Sequence, residues 1–122
     1  MSFICPECHA NSLAITHTIE LPPDGRSDEI TLQVVACKEC GFRGTAVYEE
    51  SRRGAEEYWH HQGCIVPKAS VTRLSKLIRQ CPSPKSVRCQ CVSHQTLGQT
   101  NEFGIWYPPD WATSEKTFLM KR

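Results

Sequence analysis

Three features of this 122-residue sequence predict a small, metal-stabilised α+β fold. Two Cys-x-x-Cys units, Cys5-Pro6-Glu7-Cys8 and Cys37-Lys38-Glu39-Cys40, lie 28 residues apart with two strand-like stretches between them. One amphipathic helical segment follows in the second half. After it comes a tight group of Cys81, Cys89, Cys91 and His94. The expected architecture is a three-stranded antiparallel sheet closed on four cysteines (residues 1–50), then a helical region (51–122) carrying a second metal clamp.

The elements follow from local pattern. Leu13 to Ile19 alternates apolar and other residues with period two, as a half-buried strand does. Leu21-Pro22-Pro23-Asp24-Gly25-Arg26 reads as a loop, since two prolines and Asp-Gly oppose continued pairing. Ile30 to Ala36 is rich in β-branched residues and reads as the second strand, and Thr45 to Tyr48 as the third. After a polar linker, Glu49 to Gly54, a short helix is expected over Ala55 to Gln62, with Glu56 and Glu57 at its positive start and Gly63 as its cap. The clearest helix runs from Ser70, a good N-cap, to Gln80 before Pro82. It places Val71, Leu74, Leu77 and Ile78 on one stripe and Arg73, Lys76 and Arg79 opposite. Phe103 to Tyr107 reads as a last strand, closed by Pro108-Pro109.

Each cysteine pair puts two thiolates on one tight turn, where backbone amides also point at sulfur. Two such turns joined by a hairpin complete a tetrahedral four-sulfur shell, the structural geometry that zinc prefers. Gly41, directly after Cys40, lets the chain leave the turn without a Cβ clash. Iron would use the same four sulfurs, and disulfides are the other use of such cysteines. The eight cysteines sit in a chain whose first residues lack the basic-then-apolar order of a secretory signal. They read as metal ligands before disulfides, with a cytoplasmic location expected.

On Cys5, Cys8, Cys37, Cys40 and Gly41, with strands before and after the second knuckle, the first 48 residues resemble the zinc-ribbon superfamily. That superfamily is found in transcription elongation factors, RNA polymerase subunits and ribosomal proteins. The resemblance implies a three-stranded ribbon around one zinc but no particular activity, since ribbons serve many roles; a transcription- or translation-associated module is the expectation. Ribbons acting at a polymerase active site carry an adjacent acidic pair in the hairpin. Here Asp24 and Asp28-Glu29 stand elsewhere, beside the Pro-Pro turn, so that activity is not carried over.

The second group, Cys81, Cys89, Cys91 and His94, falls within fourteen residues. The stretch from Cys81 to Leu97 has too few apolar residues to order itself, and a zinc shell of three cysteines and one histidine would hold it down. The competing readings are a redox dithiol at Cys89-Gln90-Cys91 and a ligand exchange with Cys64 and His60 or His61. Otherwise Cys64 is a small buried strand residue.

Function is less legible. His60, His61 and Cys64 form the one local combination resembling a nucleophile with a base, and Glu56 is the one carboxylate near enough to orient it. No phosphate-cradling glycine loop, Gly-x-Ser-x-Gly or His-Glu-x-x-His is present, and an all-protein metal shell leaves no open position for water. A non-catalytic binding protein is therefore expected, with no small-molecule substrate evident and no apolar run long enough for a membrane span. Residues 1–64 hold five Lys/Arg against ten Asp/Glu, whereas 65–122 hold nine against three. No acid occurs from Tyr58 to Asn101, a stretch containing Lys68, Arg73, Lys76, Arg79, Lys85 and Arg88. These six are the candidate nucleic-acid contacts, their charges neutralising phosphates, and nucleic acid is the expected partner ahead of protein. The alternatives are attraction between the two halves of the chain, and an adaptor that docks on an acidic protein surface or through Trp106-Tyr107-Pro108-Pro109-Asp110-Trp111.

Overall fold

The computed structural model describes residues 2–53 and 57–122. Its centre is a six-stranded antiparallel sheet in which every strand pairs with its neighbours in sequence. The strands are β1 (Phe3–Ile4), β2 (Asn11–Leu21), β3 (Glu29–Cys37), β4 (Arg43–Ser51), β5 (Tyr58–Cys64) and β6 (Thr117–Leu119). Helix α1 (Lys68–Gln80), helix α2 (Val92–Leu97) and a 3-10 turn (Asp110–Ala112) lie between β5 and β6. Beyond β6, Lys121 C=O accepts from Ile4 N–H of β1 at 2.8 Å, so one backbone bond joins the two edges and the sheet curls back on itself.

β3 is buried on both faces, which is why its sequence is a near-continuous apolar run. Ile30, Leu32 and Val34 point to one side and, with Ile19 and Leu21 of β2, pack on Val71, Leu74 and Ile78 of α1, on Leu97 and on Trp106. Val35 and Cys37 point to the other side, into the space the curled sheet encloses. They meet Phe3, Cys5, Leu13, Phe42, Ala46 and Met120 there.

The sheet therefore replaces the expected three-stranded ribbon followed by a helical part. Residues 58–64 are the main reason. They form β5, in ladder with β4 from Thr45↔Cys64 to Ser51↔Tyr58, in place of the helix expected over Ala55 to Gln62. Tyr58, Trp59, His60 and His61 are weak helix formers without an apolar helical stripe, and the open edge of β4 offers them a complete hydrogen-bond ladder. Ala55 and Glu56 lie outside the described residues. Gly63 is no helix cap: a Cβ there would run into the ring of Phe118, which lies against it from β6.

Two smaller differences have local causes. α1 begins at Lys68 after Pro67, so Ser70 falls inside its first turn. Phe103 to Tyr107 is a turn and not a strand. Asn101 Oδ1 accepts from Phe103 N–H (2.8 Å) and Ile105 N–H (3.1 Å), leaving one isolated bridge, Thr100↔Trp106.

Asp24 locks that turn to the sheet. Its carboxylate accepts from the backbone N–H groups of Ser27 (2.6 Å), Trp106 (2.7 Å) and Arg26 (2.8 Å). Burial pushes its carboxyl up, but these three donors and Arg26 outweigh that and hold it below the ordinary value of 3.8. The carboxylate's contribution is therefore complete above that value and is lost as pH falls through the lower folded one. Asp24→Ala is expected to cost about 1–3 kcal/mol in urea unfolding at neutral pH, and the difference from wild type should shrink as pH drops below about 4.

Candidate metal centres

The curled sheet brings the four cysteines of the first group together at one end of its enclosed core. Cys5 follows β1 and Cys37 closes β3, both buried, while Cys8 and Cys40 stand at the surface. The sulfurs of Cys5 and Cys40 are 3.6 Å apart and those of Cys8 and Cys37 are 3.7 Å apart. All four lie within 4.8 Å of one another. A tetrahedral ion bonded to sulfur at ~2.3 Å requires edges of about 3.8 Å, which these two edges match, so the four sulfurs fit a tetrahedral metal. All eight cysteines are free thiols.

The two knuckles share one backbone shape. In each, the residue after the second cysteine is left-handed, His9 at φ 65° and Gly41 at φ 79°. Its N–H donates to the carbonyl of the first cysteine, at 3.0 Å for His9 and 3.3 Å for Gly41. Within the turns, Glu7 N–H points at Cys5 Sγ (3.4 Å), and Glu39 N–H (3.3 Å) and Cys40 N–H (3.4 Å) at Cys37 Sγ. The hydroxyl of Ser12 adds further support, 3.0 Å from Cys37 Sγ. That hydroxyl and the two amides hold the Cys37 thiol down at about 6 despite burial. The Phe42 amide favours a Cys40 thiolate, but burial and the thiols of Cys37, Cys5 and Cys8 push Cys40 up to about 12.

Cys81, Cys89, Cys91 and His94 also converge within 4.8 Å. Cys81 ends α1, and Cys91 precedes α2 with its sulfur accepting from His94 N–H at 3.4 Å. Cys81 Sγ lies 3.8 Å from Cys89 Sγ and 3.2 Å from His94 Nδ1, and Cys91 Sγ lies 3.4 Å from that nitrogen. The other ring nitrogen, Nε2, bonds the Glu20 carbonyl at 3.0 Å, which leaves Nδ1 as the free ligand atom. Burial pushes the thiols up, and with Cys91 and Cys89 as neighbours it carries Cys81 to about 11. At Cys91 the His94 N–H and ring outweigh burial and hold it at about 6. The stretch expected to lack structure thus contains α2, which Ser93 ties to the Leu77 carbonyl of α1. Glu20 N–H also donates to Pro84 C=O at 2.7 Å, so the loop carrying the cluster is fastened to β2 at two points.

Other sequence candidates separate. His60 and Cys64 lie four residues apart on an extended strand, about 13 Å at ~3.3 Å per residue, with no base–thiol contact. His60 bonds Gln62, and buried Cys64 faces the Thr113 hydroxyl at 3.6 Å. Glu56 lies outside the described residues. Lys68, Arg73, Lys76, Arg79, Lys85 and Arg88 are all exposed, and none forms a salt bridge among the described residues. The ion pairs among the described residues are made instead by Arg26, Arg52 and Arg53, with Asp28, Glu29, Glu49 and Glu50. The aromatic tail is largely used inside the fold. Trp106 is 4% exposed and donates its indole N–H to Leu97 C=O at 2.8 Å, and Trp111 is half-buried with the Arg73 guanidinium 4.2 Å above its ring.

Sequence reasoning missed Ser12 and the Glu20 carbonyl. Ser12 was findable, because a strand that begins just after a knuckle passes the opposite one. The Glu20 carbonyl belongs to a backbone and leaves no mark in the sequence. Comparison with family models, curated proteins and solved structures finds no match to this chain, so its sites are read from their own geometry.

Elemental analysis of the purified protein should find two metal atoms per chain. His94→Ala should lose one and keep the fold of the sheet, while Cys37→Ser should lose the other and unfold, seen as loss of the cooperative thermal transition. Gly41→Ala should cost about 1–2 kcal/mol, the penalty of a Cβ at left-handed φ.

Proposed function

We propose that this chain is a non-catalytic protein stabilised by two zinc ions, which binds nucleic acid through the exposed basic face of α1 and the loop after it. Zinc is the ion of choice because it takes both shells, four cysteines or three with a histidine, as tetrahedral structural sites. Both shells are complete in protein ligands, which supports a structural and not a catalytic role for the ions. The knuckles agree in ligand set with zinc ribbons, here built into a larger sheet. Seven ligand thiols must remain reduced, which suits the cytoplasm.

The observation that carries the nucleic-acid reading is the unpaired basic face. Six exposed cations lie in a 44-residue stretch without an acid, and the ion pairs among the described residues, to Asp28, Glu29, Glu49 and Glu50, are all made by other arginines. Had the two halves of the chain simply attracted one another, these cations would be the ones in ion pairs. Arg73 keeps its charge at the surface while its guanidinium rests on Trp111, which fixes the direction of the face.

The test is fluorescence anisotropy with labelled single-stranded and duplex oligonucleotides at about 50 and 200 mM salt. Binding is expected to weaken at least about tenfold at the higher salt. The Lys76→Glu/Arg79→Glu double variant should weaken binding similarly and flatten the salt dependence. No binding to either oligonucleotide at low salt overturns the reading.

A further inference from the structure

On the side of the sheet away from α1, the enclosed core opens opposite the first cysteine cluster as a cavity of about 610 Å³. Four rings wall it: Phe3 of β1, Tyr48 of β4, and Trp59 and His61 of β5. The register explains their convergence. Tyr48 pairs with His61, and Trp59 lies two residues before it on the same face. Phe3 and Tyr48 each stand nearly at right angles to the His61 ring, with centroids 5.4 Å away in both cases. Trp59 is 68% exposed, so a large flat apolar surface faces solvent at the mouth. Lys121 and Arg122 complete the rim, with the Arg122 guanidinium 5.2 Å from the Phe3 ring centre.

We propose that this mouth is a nucleotide subsite, in which a purine or pyrimidine ring stacks on Trp59 among the other three rings and its phosphate meets Lys121 and Arg122. Each part of the lining selects for this chemistry. Flat aromatic faces receive a flat ring, and every base has one. His61 Nε2 lies 2.7 Å from Gln33 Oε1, so that nitrogen carries the proton and Nδ1 is left as an acceptor for a base N–H. Burial, then His60 and Arg122, lower the imidazole below its ordinary value, which favours its neutral form. A neutral apolar ligand would leave the two cations without a counter-charge, a flexible acyl chain would not match the flat ring faces, and a bare phosphate would leave the rings uncovered. Glu50, paired with Trp59 in the ladder, is already bound by Arg52, so it does not set up a competing cation site. Barrel mouths lined by rings with a few placed polar groups are usual places for such ligands.

This site is separate from the α1 face and stands without it. A free mononucleotide and a base within a single strand share the chemistry, and the test separates them. The indole N–H resonance of Trp59, distinguishable from those of Trp106 and Trp111, is followed in the zinc-loaded full chain. The additions are a nucleoside monophosphate, a short single-stranded oligonucleotide, and ribose 5-phosphate. Saturable shifts with the monophosphate identify a free-nucleotide site, and shifts with the oligonucleotide alone identify a strand-binding one. Trp59→Ala removes the reporting indole, so its affinity is read by isothermal titration calorimetry alongside wild type. This change at an exposed side chain should weaken binding at least about fivefold. Arg122→Ala should weaken it less, and Lys76→Glu/Arg79→Glu should leave monophosphate binding unchanged. The proposal is overturned if neither nucleotide ligand moves the Trp59 resonance, if ribose 5-phosphate binds as tightly as the nucleotides, or if Trp59→Ala leaves affinity within about twofold.

Discussion

Four thiols at one end of this molecule, and three with an imidazole at the other, are held so close that they cannot all carry charge unaided. The opposed values at Cys37 and Cys40, about 6 and about 12, express that conflict within one cluster: one sulfur ionises and its neighbours resist. A divalent cation resolves it, because four thiolates around a 2+ ion leave two negative charges, and three leave one. The remaining charge is met by inward-pointing amides at both sites and by Ser12 at the first. The sheet supplies the geometry at each cluster, and a bound ion would remove the repulsion there.

What the sequence made legible follows the range of the forces involved. The cysteine spacing announced both clusters, since a turn that presents two thiols is a local object. The helix over residues 68–80 was visible because Val71, Leu74 and Ile78 recur at helical spacing regardless of what they pack on. β5 was hidden. Tyr58 to Cys64 has no decisive pattern of its own and is a strand because β4 offers it an edge, so the information lies in another part of the chain. Once Ala55 to Gln62 is taken for a helix, the sheet ends at three strands, the three-residue β6 has nothing to join, and the aromatic mouth cannot be assembled.

Without β5, the division of labour between the two sides of the sheet is equally invisible. β3 supplies Ile30, Leu32 and Val34 to one core and Val35 and Cys37 to the other, so a single strand couples the α1 layer to the first metal cluster. The second cluster is coupled to the sheet through the backbone of Glu20, which donates to Pro84 and accepts from His94. Both exposed surfaces therefore sit on rigid supports: the basic face on a helix packed on β2 and β3, and the ring-lined mouth on β4 and β5.

The bond between Ile4 and Lys121 has a consequence for how the chain reaches this state. β2 to β5 form a simple meander whose hairpins can zip one after another as each emerges from the ribosome. β1 cannot. Its outer edge waits for a partner synthesised more than a hundred residues later, so the nascent protein spends most of its synthesis with an open, pairing-competent rim. Two-residue β1 offers little of that rim, and its brevity guards against premature association with other nascent chains.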